Sequence, residues 1–225
     1  MAGAVLMVSG SKGGVGKSTV CMSLVHYEQK RGRDLLLIEA DTANPDVGKV
    51  YGKSIETLYL NLDEKEGWMD LANRLAEQPE KTAIINTPAR SGEGVKLYGT
   101  LLSESLEELH RELVTLWIIN SQRDSLQLLK EYLDCMPVGT THVLRNLYHG
   151  PERKFELYNG SKIRETIEVK GKTLNFPDVA DRISDQLHSD RSTIEAVIAN
   201  APLGNRAEVN RWVKECATVF EQVAP

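Results

Sequence analysis

The sequence predicts an α/β fold, a doubly wound and mainly parallel sheet with helices on both faces, and three observations predict it. Short β-rich apolar runs recur along the chain, helix-like segments separate several of them, and a glycine-rich stretch stands between the first run and the first helix. The runs lie at residues 4–8, 35–38, 83–85, 114–119 and 141–144, each followed by polar or glycine-containing sequence. Apolar runs of this kind are expected of strands covered on both faces. Helix-like segments lie at 17–30, 68–77, 97–110 and 121–133, the last with Ser121 and Asp124 available to cap its first amides.

Past Asn146 the pattern is less regular. A mixed-charge stretch at 151–172 leads to a candidate edge strand at 173–176, and helix signals resume after Pro177. Ser192 to Glu195 has capping-box spacing. Val209, Trp212, Val213, Cys216, Val219, Phe220 and Val223 recur at helical spacing as one apolar stripe. Glu208, Glu215 and Glu221 interleave with Arg211 and Lys214, unlike a basic membrane-surface helix, so the stripe is read as core packing.

At 225 residues, 41% hydrophobic and 26% charged, the chain suits one well-cored domain and not two. Residues 1–225 are therefore expected to form a single domain with a helical segment at about 177–225. The balance of 27 basic against 32 acidic side chains gives −5, which excludes a strongly basic DNA-coating protein. Cys21, Cys135 and Cys216 are too dispersed for a disulfide framework or a structural zinc site, so a reducing, cytoplasmic setting is expected. No apolar run approaches the roughly 20 residues of a membrane span.

The chemistry concentrates in Ser9, Gly10, Ser11, Lys12, Gly13, Gly14, Val15, Gly16, Lys17, Ser18 and Thr19, which follow the first strand and open a helix. Glycines let the backbone curl around a polyphosphate with its N–H groups inward, and the helix start adds free amides and a positive dipole end. Lys17 suits the β- and γ-phosphates, the Ser18 hydroxyl suits Mg²⁺, and Thr19 can contact phosphate from the next position. A merely structural turn would need the glycines but not Lys17 and Ser18 at the helix entrance.

The usual spacing of such loops has glycine at position 11, where this chain has Ser11. Together with Lys12, the segment closely resembles the deviant Walker A motif of the ParA/MinD family. That resemblance implies ATP and Mg²⁺ as cofactors and an ATP-dependent homodimer in which Lys12 reaches the partner's nucleotide. A cation supplied this way neutralises charge developing on the transferred phosphoryl group.

Further segments match the family's order. Asp41, at the end of the second predicted strand, takes the position of the acid that orients the attacking water and supports Mg²⁺ through water; its bland alternative is a turn with Asn44 and Pro45. Glu39 stands where aspartate is commoner. The third predicted strand ends at Asn86, where the resemblance calls for aspartate, so metal coupling and hydrolysis are expected to be weaker. Asn146, ending the fifth predicted strand, resembles a base-reading asparagine, though asparagine also commonly ends strands. The candidate catalytic residues are thus Lys12, Lys17 and Asp41. Ser18 and Asp41 are the metal candidates, and Ser11 through Thr19, Asn86 and Asn146 are the cofactor-binding candidates.

The resemblance covers about residues 5–146, and segments 155–159 and 175–178 look like the plasmid-stability and conjugative-transfer branch. It implies an ATP-dependent switch in partition, positioning or transfer of mobile DNA, with a protein activator and non-specific DNA as candidate partners. Arg153, Lys154, Lys162, Arg164, Lys170 and Lys172 are a candidate basic patch, interrupted by Glu152, Glu156, Glu165 and Glu168 and so read first as a solvated face. Two other classes stand beside the switch: an ATP-dependent metabolic ligase or synthetase, and a scaffold that holds ATP without turnover. Iron–sulfur chemistry is disfavoured by the cysteine placement.

Overall fold

β1 (Val5–Gly10) is fully buried yet two-sided: Leu6 and Val8 join one apolar cluster, Val5 and Met7 another. β2 (Leu35–Glu39) repeats the arrangement, with Leu35 and Leu37 on one face and Leu36 and Ile38 on the other. Period-two side chains inside an unbroken apolar run require cover on both faces, and the helices supply it. The computed structural model describes residues 2–10, 12–89, 92–136 and 138–225.

Between β1 and β2 lies α1 (Lys17–Lys30). The chain continues through α2 (Asp46–Tyr51), β3 (Glu56–Tyr59), α3 (Lys65–Glu77), β4 (Thr82–Asn86), α4 (Gly92–Glu108), β5 (Leu113–Ile119), α5 (Arg123–Cys135) and β6 (Thr140–Asn146). Then follow α6 (Glu156–Asn159), α7 (Lys162–Glu168), β7 (Thr173–Phe176), α8 (Asp181–His188), α9 (Ile194–Asn200) and α10 (Leu203–Phe220). Among the described residues seven strands form one parallel sheet in the order β3-β2-β4-β1-β5-β6-β7. From β1 the chain steps over β4 to β2, whereas from β4 it steps over β1 to β5, so the order reverses around β1. Crevices at the carboxyl ends of strands form at such switch points.

On one face α1 packs with α9 and α10; on the other α4 packs against α3 and α5. The α10 stripe is core, with Val209, Trp212, Cys216, Val219 and Phe220 buried, and Val223 buried just beyond the helix. Each such side chain contributes roughly 1.5–3 kcal/mol relative to exposure. Trp212 also donates its Nε1–H to the Pro177 carbonyl at 3.1 Å, fixing the turn after β7. Among the described residues no helix is long and apolar enough to cross a membrane.

Several expectations are corrected. β3 and α2 have no counterpart in the sequence reading, so the 83–85 run is the fourth strand and the 141–144 run the sixth. α3 and α4 start earlier, at Lys65 and Gly92. Among the described residues α5 begins after Gln122 with no side-chain cap, and Asp124 pairs with Lys12 instead. The capping box dissolves: Thr193, not Ser192, accepts from the Ala196 amide at 3.1 Å. Glu195 turns to His26 at 2.5 Å, where a carboxylate meets a buried imidazole on α1.

Candidate functional site

The loop from β1 to α1 is shaped by backbone that only glycine adopts cheaply. Gly14 and Gly16 have φ of +77° and +99°, and a Cβ on Gly16 would lie 2.4 Å from Asn146 Nδ2. A Cβ on Gly13 or Gly14 would meet no described atom within 4 Å, so that stretch presents bare backbone. Among the described residues α1 starts with no side-chain cap, and its first turn holds no acid. Its amides and dipole thus remain available to an anion.

A cavity of about 460 Å³ opens here, lined by Gly13, Gly14, Gly16, Lys17, Ser18, Thr19, Asp41 and Asn146. Lys17 is 7% exposed and donates to the Lys12 carbonyl at 3.0 Å. Burial holds its pKa below the ordinary lysine value, against the opposing pull of Asp41. A desolvated ammonium of this kind gains most from an arriving anion. Asp41 Oδ1 accepts from the Asn44 amide at 3.0 Å, so the carboxylate both makes the turn and lines the cavity.

The other predicted residues occupy different places. Val15 is buried, and its carbonyl accepts from Asn146 Nδ2 at 2.8 Å. Asn146 Oδ1 takes the Tyr148 amide at 3.1 Å, so this side chain braces the loop as well as facing the cavity. Lys12 is paired with Asp124 of α5 and lines a second cavity of about 920 Å³ between the loop, α4 and α5. The Lys12 bond holds Asp124 below the usual carboxylate range. Asn86 is 1% exposed and lies behind the site, its Nδ2 donating to Glu39 Oε1 at 2.8 Å. Ser11 lies outside the described residues.

Sequence reasoning missed part of the wall. Tyr148, the turn from Phe176 to Val179, and His188 of α8 all line the first cavity, as do Asn44 and Asp46. His188 Nε2 lies 2.9 Å from Thr19 Oγ1. Burial holds its pKa below the ordinary histidine value, opposed by Asp46 and Asp185. No local spacing marks these residues; Asn44 and Asp46 come from the turn after β2, Tyr148 from the turn after β6, and the 176–188 part from the return of the chain after β7.

The arrangement suits a nucleotide: bare amides and a buried ammonium for phosphates, and Tyr148 with Pro177 and Val179 for a planar base. It also suits Mg²⁺ in an oxygen-rich, water-rich shell. Ser18 and Asp41 line the cavity with oxygen-bearing side chains, whereas Asn86 lies outside its lining. Among the described residues no group of three or more His, Cys, Asp or Glu side chains is placed to hold a metal alone. Phosphate oxygens and water would complete such a shell.

Comparison with known proteins agrees with the geometry. Residues 6–147 match the CobQ/CobB/MinD/ParA nucleotide binding domain. The chain is 51% identical over 224 residues to Protein MobD from Acidithiobacillus ferrooxidans, covering 99% of each. In fold it is similar to the MinD cell division protein of Aquifex aeolicus, with a TM-score of 0.58, 14% identity, and 99% and 98% of the two chains covered. A MinC:MinD complex from the same organism gives 0.53 at 12% identity, with the same coverage.

Proposed function

Because the chain belongs to the CobQ/CobB/MinD/ParA nucleotide-binding family, we propose that it is an ATP-binding, slowly hydrolysing switch that dimerises with ATP. The observation that carries this reading is the uncapped α1 start behind bare Gly13 and Gly14, with buried Lys17 facing the same cavity. The whole chain acts as one ATPase unit, since residues from Gly13 to His188 share that cavity. Mg²⁺, when bound, supplies charge neutralisation at the phosphates. Ser18 directly, and Asp41 through water, would hold it.

The residues then divide the work. Lys17 and the loop amides bind the β- and γ-phosphates, Thr19 contacts phosphate beside them, and Asp41 orients the attacking water. Lys12, held by Asp124 in the single chain, exchanges that partner for the nucleotide of a second copy. Asn146, bonded to the Val15 carbonyl and the Tyr148 amide, keeps the loop in register.

The half-identical MobD relative, with the resemblance of segments 155–159 and 175–178, supports a cytosolic role in partition, positioning or transfer of mobile DNA. A protein activator and non-specific DNA are the partners this role calls for. Arg164 is paired with Glu168, and Lys172 donates to the Gln222 carbonyl, so a DNA face must draw on the remaining basic side chains. The test is solution mass with and without ATP and Mg²⁺, repeated with DNA. Doubling with ATP is expected, and a mass indifferent to ATP would overturn the switch in favour of a monomeric synthetase or an inert ATP scaffold.

A further inference from the structure

We infer that Glu39 and Asn86 form one hydrogen-bonded unit that positions Asp41, and that the amide at 86 is required by the longer acid at 39. The two residues are register partners at the carboxyl ends of β2 and β4. Both are buried, at 0% and 1% exposure. Glu39 Oε1 accepts from Asn86 Nδ2 at 2.8 Å and from the Asp41 backbone amide at 3.2 Å, while Oε2 accepts from the Gly48 amide at 2.9 Å. One carboxylate thus gathers a neighbouring strand, the start of α2 and the backbone of the residue assigned to the attacking water.

These bonded groups are neutral N–H donors, and among the described residues no ion pair joins Glu39 to a cation. A buried carboxylate persists on such terms only while its acceptor capacity is filled. An aspartate at 86 would set a second carboxylate oxygen against Oε1 at the place of Nδ2, at a 2.8 Å approach. Like charges at that separation are not both retained. An aspartate at 39 is shorter by one carbon, about 1.5 Å, and withdraws from the cross-strand contact, leaving room for an acid at 86. The two departures from the family pattern therefore compensate each other. Glu39 and Asn86 are positioning residues: they act on Asp41 and, through Gly48, on α2.

The inference rests on the reading of Asp41 above, and a double-mutant cycle separates the two. Wild type, Glu39→Asp, Asn86→Asp and the double variant are compared in urea unfolding and in hydrogen exchange at the Asp41 amide, both without nucleotide. Phosphate release with ATP and Mg²⁺ is measured alongside. Each single variant should lower the unfolding midpoint, speed Asp41 amide exchange at least ten-fold and cut turnover at least ten-fold with less effect on KM. The double variant should recover most of all three. Additive losses in unfolding overturn the unit, and coupled unfolding with unchanged Asp41 exchange overturns the positioning role. If wild type fails to turn over ATP while the nucleotide-free cycle still couples, the ATPase reading fails and the positioning unit stands.

Discussion

His188 Nε2 and Thr19 Oγ1 lie 2.9 Å apart, joining the last residue of α8 to the first turn of α1 at the cavity wall. Burial keeps the imidazole toward its neutral form, able to donate or accept at Nε2. His188→Ala is expected to weaken ADP binding about five-fold, the ~1 kcal/mol worth of one net hydrogen bond. Calorimetric titration with ADP checks this, and unchanged affinity would remove His188 from the site.

Lys17→Ala should abolish measurable ATP binding, because the cavity loses the buried ammonium that donates to Lys12. Asp41→Ala should retain ATP and lose phosphate release, since Asp41 lines the cavity and its carboxylate contact to the Asn44 amide is a local turn bond. A fluorescent ATP analogue and a phosphate assay separate the two outcomes. Fast hydrolysis in Asp41→Ala would end its catalytic assignment.

Lys12 and Asp124 form an exposed ion pair, and such pairs add little to folding stability. Asp124→Ala and Lys12→Ala should therefore melt close to wild type. Lys12→Ala alone should lose the ATP-dependent doubling of mass, as seen by light scattering. A matching loss of thermal stability in both variants would show the pair to be structural.

His142 on β6 accepts the Lys172 amide at 3.0 Å, and burial, with help from the Lys172 charge, lowers its pKa from 6.5 to about 4. The unfolded chain thus binds more protons than the folded one between those values. Stability from His142 is fully present above pH 6.5 and is lost as pH falls toward 4. Allowing for solvent screening, the loss amounts to about 2 kcal/mol. Urea midpoints at pH 7 and pH 4.5 should differ less in His142→Gln than in wild type.

What was legible in the sequence was contiguous. β1 and β5 announce themselves because every residue from Val5 to Val8 and from Leu113 to Leu116 is buried, and the loop through Thr19 is legible because its chemistry fits within one turn and a helix start. β3 escaped because it is an edge strand with Glu56 and Tyr59 exposed, leaving no apolar run. α2 escaped because Pro45 and Gly48 read as turn chemistry, although Pro45 sits at the helix start. The contacts that complete the site span long separations: Glu39 and Asn86 are 47 residues apart, and Thr19 and His188 are 169 apart. Nothing local encodes such meetings; the strand order does.

The first cavity is walled by both the loop after β1 and the segment from Phe176 to His188, far apart along the chain. A nucleotide seated there would clasp early and late sequence together, so α8 could not peel away without ejecting it. Loading would raise the free energy of that local opening by mass action. Protease resistance of the chain around α8 should then climb with ADP concentration, a readout of occupancy that needs no knowledge of cargo.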